Sequence, residues 1–160
     1  MRAQNLDERA AHNGQEDECC LSLMLVTTSR DPSSKARRFA RALGSFLSLP
    51  YVNRGKQGLG GEETWFVVIA DHGNPAGLIK RTGDEVEQLS FQLSIEPEGR
   101  RLARGAAKVA GKGAMASTIA QFFELELIGE IAPARGRIIW VAPNTIDFMD
   151  DGQARFGLKI

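Results

Sequence analysis

The chain is 160 residues long, with 42% hydrophobic and 25% charged side chains, which excludes a wholly disordered or fibrous protein and provides one domain's worth of core. Twenty basic groups cancel twenty acidic ones, so indiscriminate polyanion binding is excluded as well. The cancellation is not local: residues 30–56 carry +6 and 100–112 carry +5, set among stretches of −3 (1–29), −6 (57–99) and −2 (113–160).

Residues 1–20 mix acids, bases, Asn and Gln without an apolar centre and read as a mobile polar tail ahead of a single domain at 21–160. The two cysteines, Cys19 and Cys20, are adjacent, which disfavours a disulfide and fits a reducing cytoplasm. No apolar run approaches the ~20 residues of a membrane span.

The first strand is expected at 21–27, a short apolar run suited to burial on both faces. A helix capped by Asp31 or Ser33 follows to about Leu47, with Ala36, Phe39, Ala40, Leu43 and Leu47 on one face and Lys35, Arg37, Arg38, Arg41 and Ser45 on the other. After a glycine-rich loop, 64–70 is a core strand, 72–75 a turn, and 78–81 the start of another strand. Residues 89–95 alternate as one half-exposed strand with Leu89, Phe91, Leu93 and Ile95 inward. The basic segment 100–112 is expected as a mobile loop or frayed helix. It leads to a helix capped by Ser117 with Ile119, Phe122, Phe123 and Leu127 inward, and strands at 137–141 and 155–160 close the chain. Strand, helix, strand, strand occurs twice, which gives an α/β fold of two similar β-α-β-β halves, about 21–88 and 89–160, sharing one core.

Catalytic signatures fail on spacing. In GAAKVAGKG (105–113) five residues separate Gly105 from Gly111 and Gly113 follows Lys112, where a phosphate-binding loop needs four residues and a hydroxyl. The histidines, His12 and His72, have no nucleophile elbow to serve, and Asp71 beside His72 reads as a turn former. The carboxylate pairs Glu62–Glu63 and Asp150–Asp151 are adjacent in loops and read as solvated. No enzyme activity, cofactor or metal site is therefore expected.

The basic helix face carries the strongest functional signal. No acid stands between Pro32 and Leu49, so Lys35/Arg38, Arg37/Arg41 and Arg38/Arg41 are like-charge neighbours, each destabilising by ~0.2–0.5 kcal/mol in isolation. An anionic partner reverses that cost, and arginine favours phosphate forks and base stacking. Aromatic platforms are scarce, Tyr51 being the one candidate, so a flat stacking sheet is not expected.

Residues 24–34, MLVTTSRDPSS, leading into the basic helix and then to Tyr51–Val52–Asn53–Arg54–Gly55–Lys56, resemble the opening of a Brix domain in its small archaeal form. DHGNPAGL at 71–78 resembles that family's turn between two strands, and RFGLKI at 155–160 its terminal strand. The resemblance covers about 24–160; the segment 57–63 is shorter than the family's, and 1–23 precede its usual start.

The resemblance implies a ribosome biogenesis factor that binds ribosomal RNA or its precursor, assists rRNA processing and subunit assembly, and is not an enzyme. It also implies two α/β halves resembling the anticodon-binding domain of class IIa aminoacyl-tRNA synthetases. On this reading Thr27, Thr28, Ser29 and Arg30 hold a phosphate beside a helix N-terminus, and Lys35, Arg37, Arg38 and Arg41 track the RNA backbone. Asn53, Arg54 and Lys56 reach a base edge or 2′-hydroxyl, while Arg100, Arg101, Arg104, Lys108 and Lys112 add salt-sensitive affinity. Two alternatives stand beside it: a module docking a basic ribosomal protein through the acidic stretches 57–99 and 142–151, or an accessory tRNA-binding domain.

Overall fold

The computed structural model describes residues 23–160 except 56, 60, 62, 132 and 134. The expected tail, the strand start at Leu21 and the candidate Lys56 lie outside the described residues. The first sheet contains β1 (Met24–Thr28), β2 (Thr64–Asp71), β3 (Asn74–Thr82) and β4 (Glu85–Ser90) in that order, β1 parallel to β2 and the rest antiparallel. Helix α1 (Ser34–Leu47) connects β1 to β2. The second sheet draws on β5 (Gln92–Ile95), β6 (Ala107–Gly111), β7 (Leu127–Gly129), β8 (Arg137–Val141), β9 (Thr145–Asp150) and β10 (Gln153–Lys159), in the order β5-β10-β9-β8-β6-β7. Helix α2 (Gly113–Phe123) follows β6 as α1 follows β1.

The two sheets repeat one plan. Strands β6 and β8 pair in parallel across α2, as β1 and β2 do across α1, and β9 then returns antiparallel as β3 does. Each helix ends on a left-handed residue, Ser48 or Glu124, both at φ 57, whose N–H reaches back to last-turn carbonyls. The chain after each helix then bridges in parallel to the strand before it, Tyr51 to Val26 and Leu127 to Val109.

Both helices contribute to a single apolar cluster. Phe39 and Phe46 of α1 meet Phe156 and Phe148 of the second sheet edge-on at 5.6 and 5.2 Å, while Phe122 and Phe123 of α2 meet Phe66 of the first sheet at 5.8 and 5.5 Å. Each helix thus covers the opposite sheet as well as its own, so neither half can bury its apolar face alone. Lys80 of β3 is buried in this seam, its Nζ 2.9 Å from Glu124 Oε2 and 3.3 Å from the Gln121 carbonyl at the α2 C-terminus. Among the described residues no helix is long and apolar enough to cross a membrane.

The structure corrects five expectations. Residues 89–95 are two strands, because the chain leaves β4 at Phe91, buries that ring, and joins the edge of the other sheet as β5; the alternation continues across the switch, and Ile95 ends 41% exposed. Residues 107–111, expected as loop or helix, form the buried parallel strand β6, its small side chains fitting between β7 and β8. Ser117 lies inside α2, which starts directly from β6 with Lys112 at its N-cap and no side-chain capping bond. Leu127 is 40% exposed on β7 rather than inward on a helix. Strand β9, unanticipated between 141 and 155, hides behind Asp147 and Asp150, side chains that depress strand propensity.

Candidate nucleic-acid interface

Helix α1 divides into a buried face and a cationic stripe. Ala36, Phe39, Ala40, Leu43 and Phe46 are buried, and Ser33 caps the N-terminus by accepting from the Ala36 N–H at 3.0 Å. Arg37, Arg38, Arg41, Ser45 and Ser48 follow the helical three-and-four spacing on another face. That stripe lies against the irregular segment 99–105, which carries the second basic island.

The serines fasten this segment. Ser45 Oγ accepts from the Leu102 N–H at 2.8 Å; Ser48 Oγ donates to the Gly105 carbonyl at 2.8 Å and accepts from its N–H at 2.9 Å. From the other side Arg137 donates to the carbonyls of Ala103 (2.6 Å), Phe46 (3.3 Å) and Gly105 (3.4 Å). Its guanidinium is buried, lies 5.6 Å from the Phe46 ring centroid, and has Asp150 Oδ1 3.9 Å from Nε as counter-charge. The part of the second island that carries Arg100, Arg101 and Arg104 is therefore tied to the helix, not the mobile loop or frayed helix expected for 100–112.

Between α1 and 99–104 runs a groove of about 920 Å³. Arg37, Arg38 and Arg41 line one wall, Arg100, Arg101 and Arg104 the other, and Tyr51 with Pro50 the end nearer β1; among the described residues no carboxylate lines it. Among the described residues none of the six arginines forms an ion pair. Five are exposed, and Arg37 is half-buried with a buried Nε that finds no hydrogen-bond partner. Three arginines from each of the two basic islands thus become one concave surface of a single sign. Such a surface concentrates anions and focuses the field into the cleft.

The remaining sequence candidates are placed elsewhere, and none of them lines the groove. Thr27 is fully buried, its hydroxyl donating to the Val52 carbonyl at 2.6 Å, Thr28 is nearly so, and the Ser29 N–H is taken by the Val68 carbonyl at 3.0 Å. Arg54 donates to Gln57 O (2.7 Å), Thr28 O (2.9 Å) and Thr27 Oγ1 (3.4 Å), a latch between the glycine-rich loop and the end of β1. Burial, and then the neighbouring Arg30 charge, lower its pKa. Arg30 and Asn53 are exposed, and Lys35 Nζ lies 3.4 Å from Asn74 Oδ1. Lys108 is 3.8 Å from Glu126 on the second sheet, and Lys112 caps α2. Sequence reasoning missed Ser48 and Arg137, whose hydrogen-bond partners are backbone groups and leave no pattern in the sequence.

The arrangement, two sheets enclosing two helices with a cationic groove along the first helix, is that of a small two-sheet α/β protein. Its fold is similar to the crystal structure of Mil, an archaeal Imp4-like protein (TM-score 0.68, 27% identity, 86% of this chain and 96% of that one). It is also similar in fold to a probable ribosomal biogenesis protein from Aeropyrum pernix K1 (TM-score 0.56, 19% identity, 86% and 93% coverage). The chain belongs to the Brix domain-containing ribosomal biogenesis proteins: it is 31% identical over 153 residues to a probable member from Methanosarcina barkeri, covering 86% of this chain and 96% of the relative. No family model matches the chain.

Proposed function

We propose that the protein is a non-catalytic assembly factor that binds ribosomal RNA or its precursor through the arginine groove and assists rRNA processing and subunit assembly. The single observation that carries this reading is the convergence of Arg37, Arg38 and Arg41 with Arg100, Arg101 and Arg104 across one cleft that no carboxylate among the described residues lines. A polyphosphate backbone is the partner that turns six mutually repelling guanidinium groups into a stabilising set, and arginine's planar fork suits phosphate oxygens. The repeated strand–helix–strand–strand order supports the expected likeness to the anticodon-binding domain of class IIa aminoacyl-tRNA synthetases. The exposed groups outside the groove, Arg30, Lys35, Lys108 and Lys112, act as outlying phosphate contacts and Asn53 as a base-edge or 2′-hydroxyl contact, whereas Thr28 and Arg54 hold the loop beside β1 and Ser29 continues the β1–β2 ladder.

Ultraviolet crosslinking in the native cell followed by sequencing of the bound RNA tests the reading. Ribosomal RNA is the expected product, with crosslinked peptides from α1 or 99–104. Recovery of tRNA alone would transfer the assignment to a tRNA-binding domain. Association with a basic ribosomal protein that survives nuclease, without crosslinked RNA, would transfer it to a docking module.

A further inference from the structure

The one tyrosine of the chain stands at the end of the groove. Its backbone bridges to Val26, and the flanking residues fix it further: the Val26 N–H donates to the Pro50 carbonyl at 3.0 Å and the Val52 N–H to the Val26 carbonyl at 2.8 Å. Gly44 allows this close approach, since a Cβ there would lie 3.0 Å from the Leu49 carbonyl and 3.8 Å from Tyr51 Cβ. The Tyr51 ring is half-buried against the core, and the Arg41 guanidinium lies over it, its carbon 5.4 Å from the ring centroid. Arg41 is nonetheless exposed and has no carboxylate partner among the described residues. The guanidinium is thus supported by the ring and lines the groove at the same time.

We propose that Arg41, held over Tyr51, is a stacking platform for an unpaired base, so that the groove selects single-stranded RNA over duplex. This rests on the RNA reading above. A guanidinium plane stacks on a nucleobase as readily as an aromatic ring does, and a ring beneath it removes much of the entropy cost of holding it flat. The groove volume of about 920 Å³ lies within the ~300–1,000 Å³ of sites that enclose a small organic ligand, which suits a short stretch of single strand. A duplex keeps its base faces stacked inside and can offer this cleft phosphates, 2′-hydroxyls and base edges but no face to stack on. Arg37 and Arg38 on one wall and Arg100, Arg101 and Arg104 on the other take the phosphates, and Arg41 over Tyr51 takes the base.

Three probes separate the parts: decauridylate, a ten-base-pair RNA duplex and inorganic polyphosphate, each titrated against the full chain and its R41K and Y51L variants by fluorescence anisotropy or competition. Arg41→Lys keeps the charge and removes the plane. It is expected to weaken decauridylate binding about five-fold or more, the effect of losing one stacked base, while duplex and polyphosphate, which still meet the lysine charge but lose one guanidinium fork, weaken by no more than about two-fold and the salt dependence stays the same. Tyr51→Leu should reproduce the decauridylate loss, with circular dichroism confirming the fold. Equal losses on all three probes, or no loss on decauridylate with R41K, overturn the platform and leave the RNA reading intact. A wild-type chain that binds polyphosphate but neither RNA overturns both.

Discussion

Arg137 is the residue on which the groove's shape depends most. Replacing it with methionine fills much of the same volume but removes a short charge-assisted bond to the Ala103 carbonyl and two longer ones to Phe46 and Gly105. The 2.6 Å bond carries most of the cost, ~1.5–3 kcal/mol for a bond to a charged group, and the bonds near 3.4 Å add little. Asp150 loses a counter-charge at 3.9 Å but keeps Arg155 at 4.0 Å. The expected loss is about 2–3 kcal/mol, a fall in Tm of ~4–12 °C at the ~2–4 °C per kcal/mol typical of this size. Urea unfolding followed by circular dichroism should show a lower midpoint with unchanged slope. Hydrogen exchange should show faster exchange at the amides of Leu102 and Gly105, the two held by Ser45 and Ser48. An unchanged midpoint, or a lower one without faster exchange at those amides, would refute the claim that Arg137 ties 102–105 to the helix.

Three further outcomes follow from the same packing. A Cβ at Gly111 would lie 2.5 Å from the Val141 carbonyl and 2.9 Å from Val141 Cβ, so Gly111→Ala should cost about 2 kcal/mol or more in urea unfolding by forcing β6 and β8 apart. Glu124→Gln leaves the buried Lys80 ammonium without its carboxylate and should cost ~2 kcal/mol, whereas Lys80→Met, which removes the charge itself, should stay within ~1 kcal/mol of wild type; the reverse order in thermal unfolding would contradict the pairing. Burial raises the Asp147 carboxyl pKa, so the folded state binds a proton more tightly than the unfolded one and stability falls as pH rises through the folded-state pKa. Asp147→Asn should therefore raise Tm at pH 7, and the gain should vanish below pH ~4, where the unfolded carboxyl is protonated too.

Elements with dense local signals were legible in the sequence. Helix α1 shows its apolar spacing and Ser33 cap, and β2 shows its TWFVVI run, because both patterns come from burial of one element against the core. Strand β6 escaped notice because alanine, glycine and valine pack between neighbours that only the tertiary fold supplies, and β4–β5 looked continuous because alternation says which face is buried but not in which sheet. The site divides the same way. The two basic islands are plain in the charge pattern, whereas their meeting depends on Ser45, Ser48 and Arg137 holding backbone groups 32 to 91 positions away. Arg54 shows the converse: a prominent cation in the sequence, it is consumed by carbonyls of its own loop and β1.

The central claim is that two islands form one RNA-binding surface, and the salt dependence of binding tests it most directly. Affinity for a single-stranded ribosomal RNA fragment should be measured across salt for the wild type, for Arg37/Arg38/Arg41→Ala and for Arg100/Arg101/Arg104→Ala. With ~0.7 of slope per phosphate contact on a single strand, Arg100/Arg101/Arg104→Ala should lower the slope of log affinity against log salt by about 2, and Arg37/Arg38/Arg41→Ala by about 1.4 or more, since Arg41 stacks on a base. An unchanged slope in either variant would contradict the account, because that wall of the groove would then carry no phosphate.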